Sequence, residues 1–148
     1  MKKKAEVAIL AGGFGTRLGE KFKDLPKPMV PICGAPLLSH QIELCRRHDF
    51  INIVLLVHHR HEKITNFFGD GGKFGVSIKY AIEQEPRGTA GALHDSLSIL
   101  ADHFLVLYGD TFIDVNLRRL WEFHHDSGAS STLFLHPNNH PGDSDIVE

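Results

Sequence analysis

Cysteine is scarce in this 148-residue chain, with only Cys33 and Cys45. No C-x-x-C pair exists, so there is no disulfide framework, and a reduced, cytoplasmic setting fits. Long apolar runs are missing too. No stretch approaches the roughly 20 apolar residues of a membrane span. The opening MKKK is followed at once by Glu6, and the next apolar run is cut by glycines, so no signal peptide is expected. Nor is there a basic excess: 16 Lys and Arg against 18 Asp and Glu leave a net charge of −2. With no basic block, nucleic acid is not the expected partner. Internal repeats, low-complexity segments and linkers are absent as well. Nothing fixes the oligomeric state, and a homo-oligomer is compatible with the sequence.

What remains is an ordinary globular balance, 42% hydrophobic and 23% charged. The length suits one domain with a real core and is too short for two. The pattern predicts strands at Glu6–Leu10, Ile51–Val57, Val76–Ile82, His103–Tyr108 and from Ser130 to Leu135. Helices are expected from Pro36 to about His48, over Glu62–Phe68, over Ala90–Leu100 with Thr89 as its cap, and after Asn116. INIVLLV is a near-continuous apolar run, broken only by Asn52, as in a strand covered on both faces. The strand–helix alternation implies right-handed crossovers. The expected fold is α/β, a Rossmann-like three-layer αβα arrangement with a mainly parallel sheet. The strand-like DIVE at the end, with no closing helix, suggests a chain that stops inside a fold.

The organising stretch is LAGGFGTRLGEKFKDLPKPMVP, Leu10 to Pro31. Gly12, Gly13 and Gly15 make a loop nearly free of side chains, which brings backbone N–H groups close to anionic oxygens. Thr16 adds a hydroxyl and Arg17 a forked cation suited to phosphate. Lys27 stands between Pro26 and Pro28, which stiffen the backbone at its stem. Together they describe a polyphosphate cradle with two cations. G-x-x-x-x-G-K-[ST] is absent, so this is no P-loop. G-x-G-x-x-G fails at Leu18, although Gly13, Gly15 and Gly19 keep a looser dinucleotide spacing open.

GGFGTRL followed by LPKPMVPICGAPLL resembles the opening of the sugar-1-phosphate nucleotidyltransferases. The resemblance implies a nucleotide-diphospho-sugar transferase type of fold, with residues 1–148 as the N-terminal, nucleotide-binding part of a longer catalytic domain. It also implies that the loop from Leu10 and Ala11 onward wraps a nucleoside triphosphate. Arg17 and Lys27 would hold its phosphates and act in catalysis. The tail HPNNHPGDSDIVE resembles heptose 1-phosphate guanylyltransferases, which stand close to the mannose-1-phosphate enzymes. The implied partners are a nucleoside triphosphate and a sugar 1-phosphate.

Two further motifs fall at strand ends, where ligands of open parallel sheets bind. Asp110, after Gly109, is well placed for a carboxylate that holds Mg²⁺. The resemblance implies the same role, and Mg²⁺ as the cofactor. The family's second metal-binding aspartate and its sugar contacts come from the C-terminal half, and no counterpart is found here. The other motif is EQEPRGTAG, Glu83 to Gly91. Pro86, Gly88 and Thr89 are candidate nucleotide contacts, with Gly88 letting backbone approach the base. A carboxylate only accepts, and guanine offers adjacent N1–H and 2-amino donors, so Glu83 points to GTP. Glu85 is the alternative carboxylate.

Two other readings stay open. A dinucleotide-dependent reductase needs an acidic ribose contact about twenty residues after the loop, where Pro36 and a helix lie instead. A non-catalytic nucleotide-binding module needs only the cradle. The cluster His58, His59 and His61 has no Cys or carboxylate at ligand spacing, so it reads as the opening of a loop and helix rather than a metal centre. His124 and His125 sit near a helix end, where imidazolium favours the dipole.

Overall fold

The structure is a computed structural model that describes residues 5–13, 22 and 24–137. Gly15, Thr16, Arg17 and the tail from 138 lie outside the described residues. The chain divides into two compact units, 1–117 and 118–148.

The first unit is built on a parallel sheet of β1 (Ala5–Leu10), β4 (Asn52–Val57), β5 (Ser77–Ile82) and β6 (Leu100–Tyr108), in the order β5-β4-β1-β6. A short antiparallel pair, β2 (Pro31–Ile32) and β3 (Ala35–Pro36), stands apart. The helices are α1 (Leu37–Arg47), α2 (His61–Phe68) and α3 (Gly88–Asp95). From β1 the chain moves through β4 to β5, then returns across the sheet to β6. Right-handed crossovers therefore put α1 and α2 on one face and α3 on the other.

Both faces are dry. β4 is buried from Ile53 through Val57, which is why its sequence runs apolar without alternation. Ala8, Val54 and Leu56 pack with Ala92 of α3 and Leu100. Val7, Ile9, Ile53 and Leu55 alternate with them and are fully buried on the opposite face. Each such Leu or Ile contributes about 1.5–3 kcal/mol by leaving water. The apolar face of α1, with Leu38, Ile42, Leu44 and Cys45, is likewise buried. Burial pushes the Cys45 thiol up to about 12, so it stays protonated.

Several expected boundaries move, for physical reasons. Pro36 ends β3 and precedes α1 rather than opening it. Thr89 does not cap α3. The helix starts at Gly88, whose φ of +69° makes the turn into it, and Thr89 lies inside. α3 also stops at Asp95, well short of Leu100. There the Ser96 hydroxyl donates back to Ala92 O at 2.9 Å and competes with the helical ladder. The turn at Cys33 (φ +49°) and Gly34 (φ +83°) joins β2 to β3, a hairpin the sequence pattern did not suggest.

In the second unit, the helix begun at Leu117 becomes α4 (Leu117–Ser127). His124 and His125 fall in its last turn, and His124 Nδ1 lies 2.9 Å from Thr132 Oγ1. No strand forms over 130–135, contrary to expectation. Leu133, Phe134 and Leu135 are exposed, and without a ladder partner among the described residues an apolar run does not become a strand.

Gly109 shows how tightly β1 and β6 end side by side. Its N–H donates to Leu10 O at 2.8 Å, and a Cβ there would sit 2.9 Å from that oxygen and 3.3 Å from Ala11 Cα. Gly109→Ala is expected to cost about 1–3 kcal/mol through overpacking. Gly13→Ala, with nothing within 4 Å of an added Cβ, should cost far less. Denaturant midpoints of the two variants measure the difference, and equal midpoints would contradict the close approach.

Candidate functional site

The sheet order reverses between β1 and β6, since β1 leads on to β4 on one side while β6 arrives on the other. In open α/β sheets that switch point leaves a crevice beyond the carboxyl ends. The registers fix what stands at its rim. Leu10 pairs with Leu56 and with Tyr108, and Val57 pairs with Ile82. Continuing those registers by one or two residues brings Gly12, His58, Glu83 and Asp110 to one level. Four residues far apart in sequence thus form a row along one edge.

A cavity of about 290 Å³ opens at this row. Of the expected site residues, Leu10, Gly12, Gly13, Lys27 and Asp110 line it, and so do Glu83, Pro86, Gly88 and Thr89. Ala11 does not. It is buried, with its N–H donating to Leu56 O at 2.8 Å. Glu85 is exposed and does not line the cavity either. Arg17, Gly15 and Thr16 lie outside the described residues.

Lys27 starts a short 3₁₀ turn, Lys27–Met29, with Pro26 at its N-cap and Pro28 within it. Met29 N–H donates to Pro26 O at 2.8 Å, and both prolines are buried. The stem of Lys27 therefore leaves a fixed turn. Its Nζ reaches Asp110 Oδ2 at 2.7 Å, with the two side chains 43% and 34% exposed. At that exposure the pair adds little to stability. Its value is positional, since it puts a cation and a carboxylate at one point of the rim.

Across the cavity, a Cβ on Gly12 would stand 3.3 Å from Glu83 Oε2, so the first loop passes directly over this carboxylate. Arg87 N–H faces Glu83 Oε1 at a long 3.5 Å. The Arg87 guanidinium turns away and holds both oxygens of Asp95, at 2.8 and 2.9 Å. Hydrogen bonds from His94 and Arg87 keep the Asp95 carboxyl below its ordinary range. α3 has no side-chain cap, so its first N–H groups open toward the Gly88 and Thr89 end of the cavity.

Sequence reasoning missed three contributors. His58 and Tyr108 line the cavity. The His58 ring sits with Nδ1 2.9 Å from Glu83 O. The available signal was position alone, because both residues stand at the carboxyl end of a strand. Gln41, on α1, donates from Nε2 to the carbonyls of Tyr108 and Thr111, on either side of Asp110.

One carboxylate, Asp110, at the rim of the cavity suits Mg²⁺, which binds through one or two carboxylates, substrate phosphates and retained waters. Among the described residues no group of three or more His, Cys, Asp or Glu could hold a metal by itself. No helix among them is long and apolar enough to cross a membrane.

The fold and the switch-point cavity define an open-sheet α/β protein with a ligand-sized crevice beyond the carboxyl ends of its strands. Over residues 6–143 the chain matches the nucleotidyl transferase family, and it belongs to that family. It is 41% identical over 115 residues to the D-glycero-alpha-D-manno-heptose 1-phosphate guanylyltransferase of Campylobacter jejuni, covering 78% of this chain and 52% of that protein. It is 36% identical over 137 residues to the UTP–glucose-1-phosphate uridylyltransferase of a Synechocystis species, covering 84% of this chain and 35% of that one. Among solved structures, HddC from Yersinia pseudotuberculosis complexed with GMP-PN superposes with a TM-score of 0.73 at 33% identity, over 81% of this chain and 54% of that one. The chain thus spans about half the length, or less, of these relatives.

Proposed function

We propose that this chain carries the nucleotide-binding part of a sugar-1-phosphate guanylyltransferase. The enzyme would join GTP to D-glycero-D-manno-heptose 1-phosphate or mannose 1-phosphate, giving a GDP-sugar and pyrophosphate. The observation that carries the reading is the row at the sheet edge. Lys27 and Asp110 meet 2.7 Å apart at one end of the cavity, and Glu83 lies under Gly12 at the other. A triphosphate extends naturally between a cationic end and a base-reading end.

The reaction is an in-line displacement. An oxygen of the sugar 1-phosphate attacks the α-phosphorus, and the bond to the bridging oxygen of pyrophosphate breaks. Two anions must approach, so positioning and charge neutralisation dominate. Arg17 neutralises the β- and γ-phosphates. Lys27, on its fixed turn, neutralises the oxygens around the reacting centre. Asp110 would hold Mg²⁺, which when bound supplies charge stabilisation to the α-phosphate and the leaving group. No general base is needed, because the attacking phosphate is already an oxyanion. Gly12 and Gly13 leave backbone N–H groups for phosphate oxygens, and the uncapped start of α3 offers more.

Overall likeness does not choose the base, since the relatives include enzymes named for GTP and for UTP. The choice rests on Glu83. Its carboxylate accepts from guanine N1–H and the 2-amino group, and uracil would set carbonyls against it. Glu83→Gln is therefore expected to narrow the preference for GTP over UTP by about tenfold, since leaving a buried polar group unpaired costs about 1–3 kcal/mol. Affinities for GTP, ATP, UTP and dTTP before and after the change measure it. An unchanged ratio of GTP to UTP affinity would remove Glu83 from base recognition.

Pyrophosphate release on mixing each triphosphate with each sugar 1-phosphate tests the reaction itself. GTP with the heptose or mannose compound should be the productive pair. Release of inorganic phosphate instead, or oxidation of a nicotinamide cofactor, would contradict a nucleotidyltransferase.

A further inference from the structure

Gln41 is a polar residue where an apolar one is expected. It lies on the buried face of α1 among Leu38, Ile42, Leu44 and Cys45, and it is 1% exposed. Its Nε2 donates to Tyr108 O and to Thr111 O. Both partners are acceptors, which fixes the orientation of the amide and occupies both of its N–H bonds. Its Oε1 is buried without a hydrogen bond among the described residues. A core position chosen for packing alone would carry a Leu or Met and leave no such orphan.

The two carbonyls flank Gly109 and Asp110. The same turn is closed by Thr111 N–H donating to Tyr108 O at 3.1 Å, and it is tied to β1 by Gly109 N–H donating to Leu10 O at 2.8 Å. The backbone that carries Asp110 is thus fastened to itself, to β1 and, through the Gln41 amide, to α1; the His40 ring on α1 also meets Phe112 edge-on. We propose that Gln41 is a positioning residue for Asp110. It sets the direction in which the carboxylate meets a divalent cation carried in with the triphosphate. The inference rests on the reading of Asp110 as the metal ligand.

The test uses Mn²⁺ as the probe, because its binding can be followed by electron paramagnetic resonance without turnover. Gln41→Met and Gln41→Leu keep apolar bulk and remove both donors. With a non-hydrolysable GTP analogue bound, each should lower Mn²⁺ affinity by about tenfold or more, the usual effect of removing a residue that orients a ligand. Affinity for the analogue in EDTA should not change. Added to Asp110→Asn, neither variant should lower Mn²⁺ affinity further. Two results would overturn the proposal. One is unchanged Mn²⁺ affinity in both variants while Asp110→Asn lowers it. The other is a parallel loss of nucleotide affinity in EDTA, the mark of a general structural role. If Asp110→Asn itself leaves Mn²⁺ affinity unchanged, it is the assignment of Asp110 that fails.

Discussion

In a form of the enzyme with the relatives' full length, Asp110→Asn is expected to abolish Mg²⁺-dependent turnover while the fold stays intact. The amide keeps the shape of the carboxylate and its place between Gly109 and Thr111. It loses the charge that would hold a hard cation and that pairs with Lys27 Nζ at 2.7 Å. The ion pair is partly exposed, so its loss costs little stability. The loss of charge stabilisation at the reacting phosphate should lower kcat by on the order of 10²-fold or more. Turnover as a function of Mg²⁺ concentration, with a circular dichroism melt as the control for folding, measures both. Turnover that survives with unchanged Mg²⁺ dependence would make Asp110 a residue that merely ends a strand.

Arg17→Ala and Lys27→Ala are each expected to weaken binding of the triphosphate much more than binding of the nucleoside. On the proposed reading each would remove a charge-assisted contact to phosphate, worth about 1.5–3 kcal/mol. Lys27 carries the stronger geometric argument. It leaves a turn whose two prolines are buried, and its ammonium already stands at the cavity wall. Titration calorimetry with GTP and with guanosine separates the two contributions. Equal losses for both ligands would mean that these cations do not see phosphate.

Much of this arrangement was legible in the residues, for physical reasons that differ from element to element. β4 could be read because a strand covered on both faces is apolar at almost every position. Asp110 and Glu83 could be placed at the cavity rim because a polar residue just after a parallel strand lands at the sheet's carboxyl edge. The cap at Thr89 failed because a left-handed Gly88 turns the chain one residue earlier and leaves Thr89 inside the helix. The strand over 130–135 failed because pairing is a property of neighbours and not of the run itself. Gln41 was the hardest to see. In sequence it is a polar residue within the apolar repeat of a helix, and its partners lie 67 and 70 residues away. His58 stood in a histidine cluster that invites thoughts of metal. Its placement beside Glu83 follows from the register of β4 against β5, which no local pattern contains.

The most direct test of the account is the affinity of the unaltered protein for GTP, ATP, UTP and dTTP, measured by calorimetry in Mg²⁺. The account predicts that GTP binds most tightly, with the pyrimidine triphosphates weaker by about tenfold, the effect of unpaired polar groups facing Glu83. A pyrimidine triphosphate binding most tightly would contradict the guanylyl reading, and no triphosphate binding at all would contradict the nucleotide site.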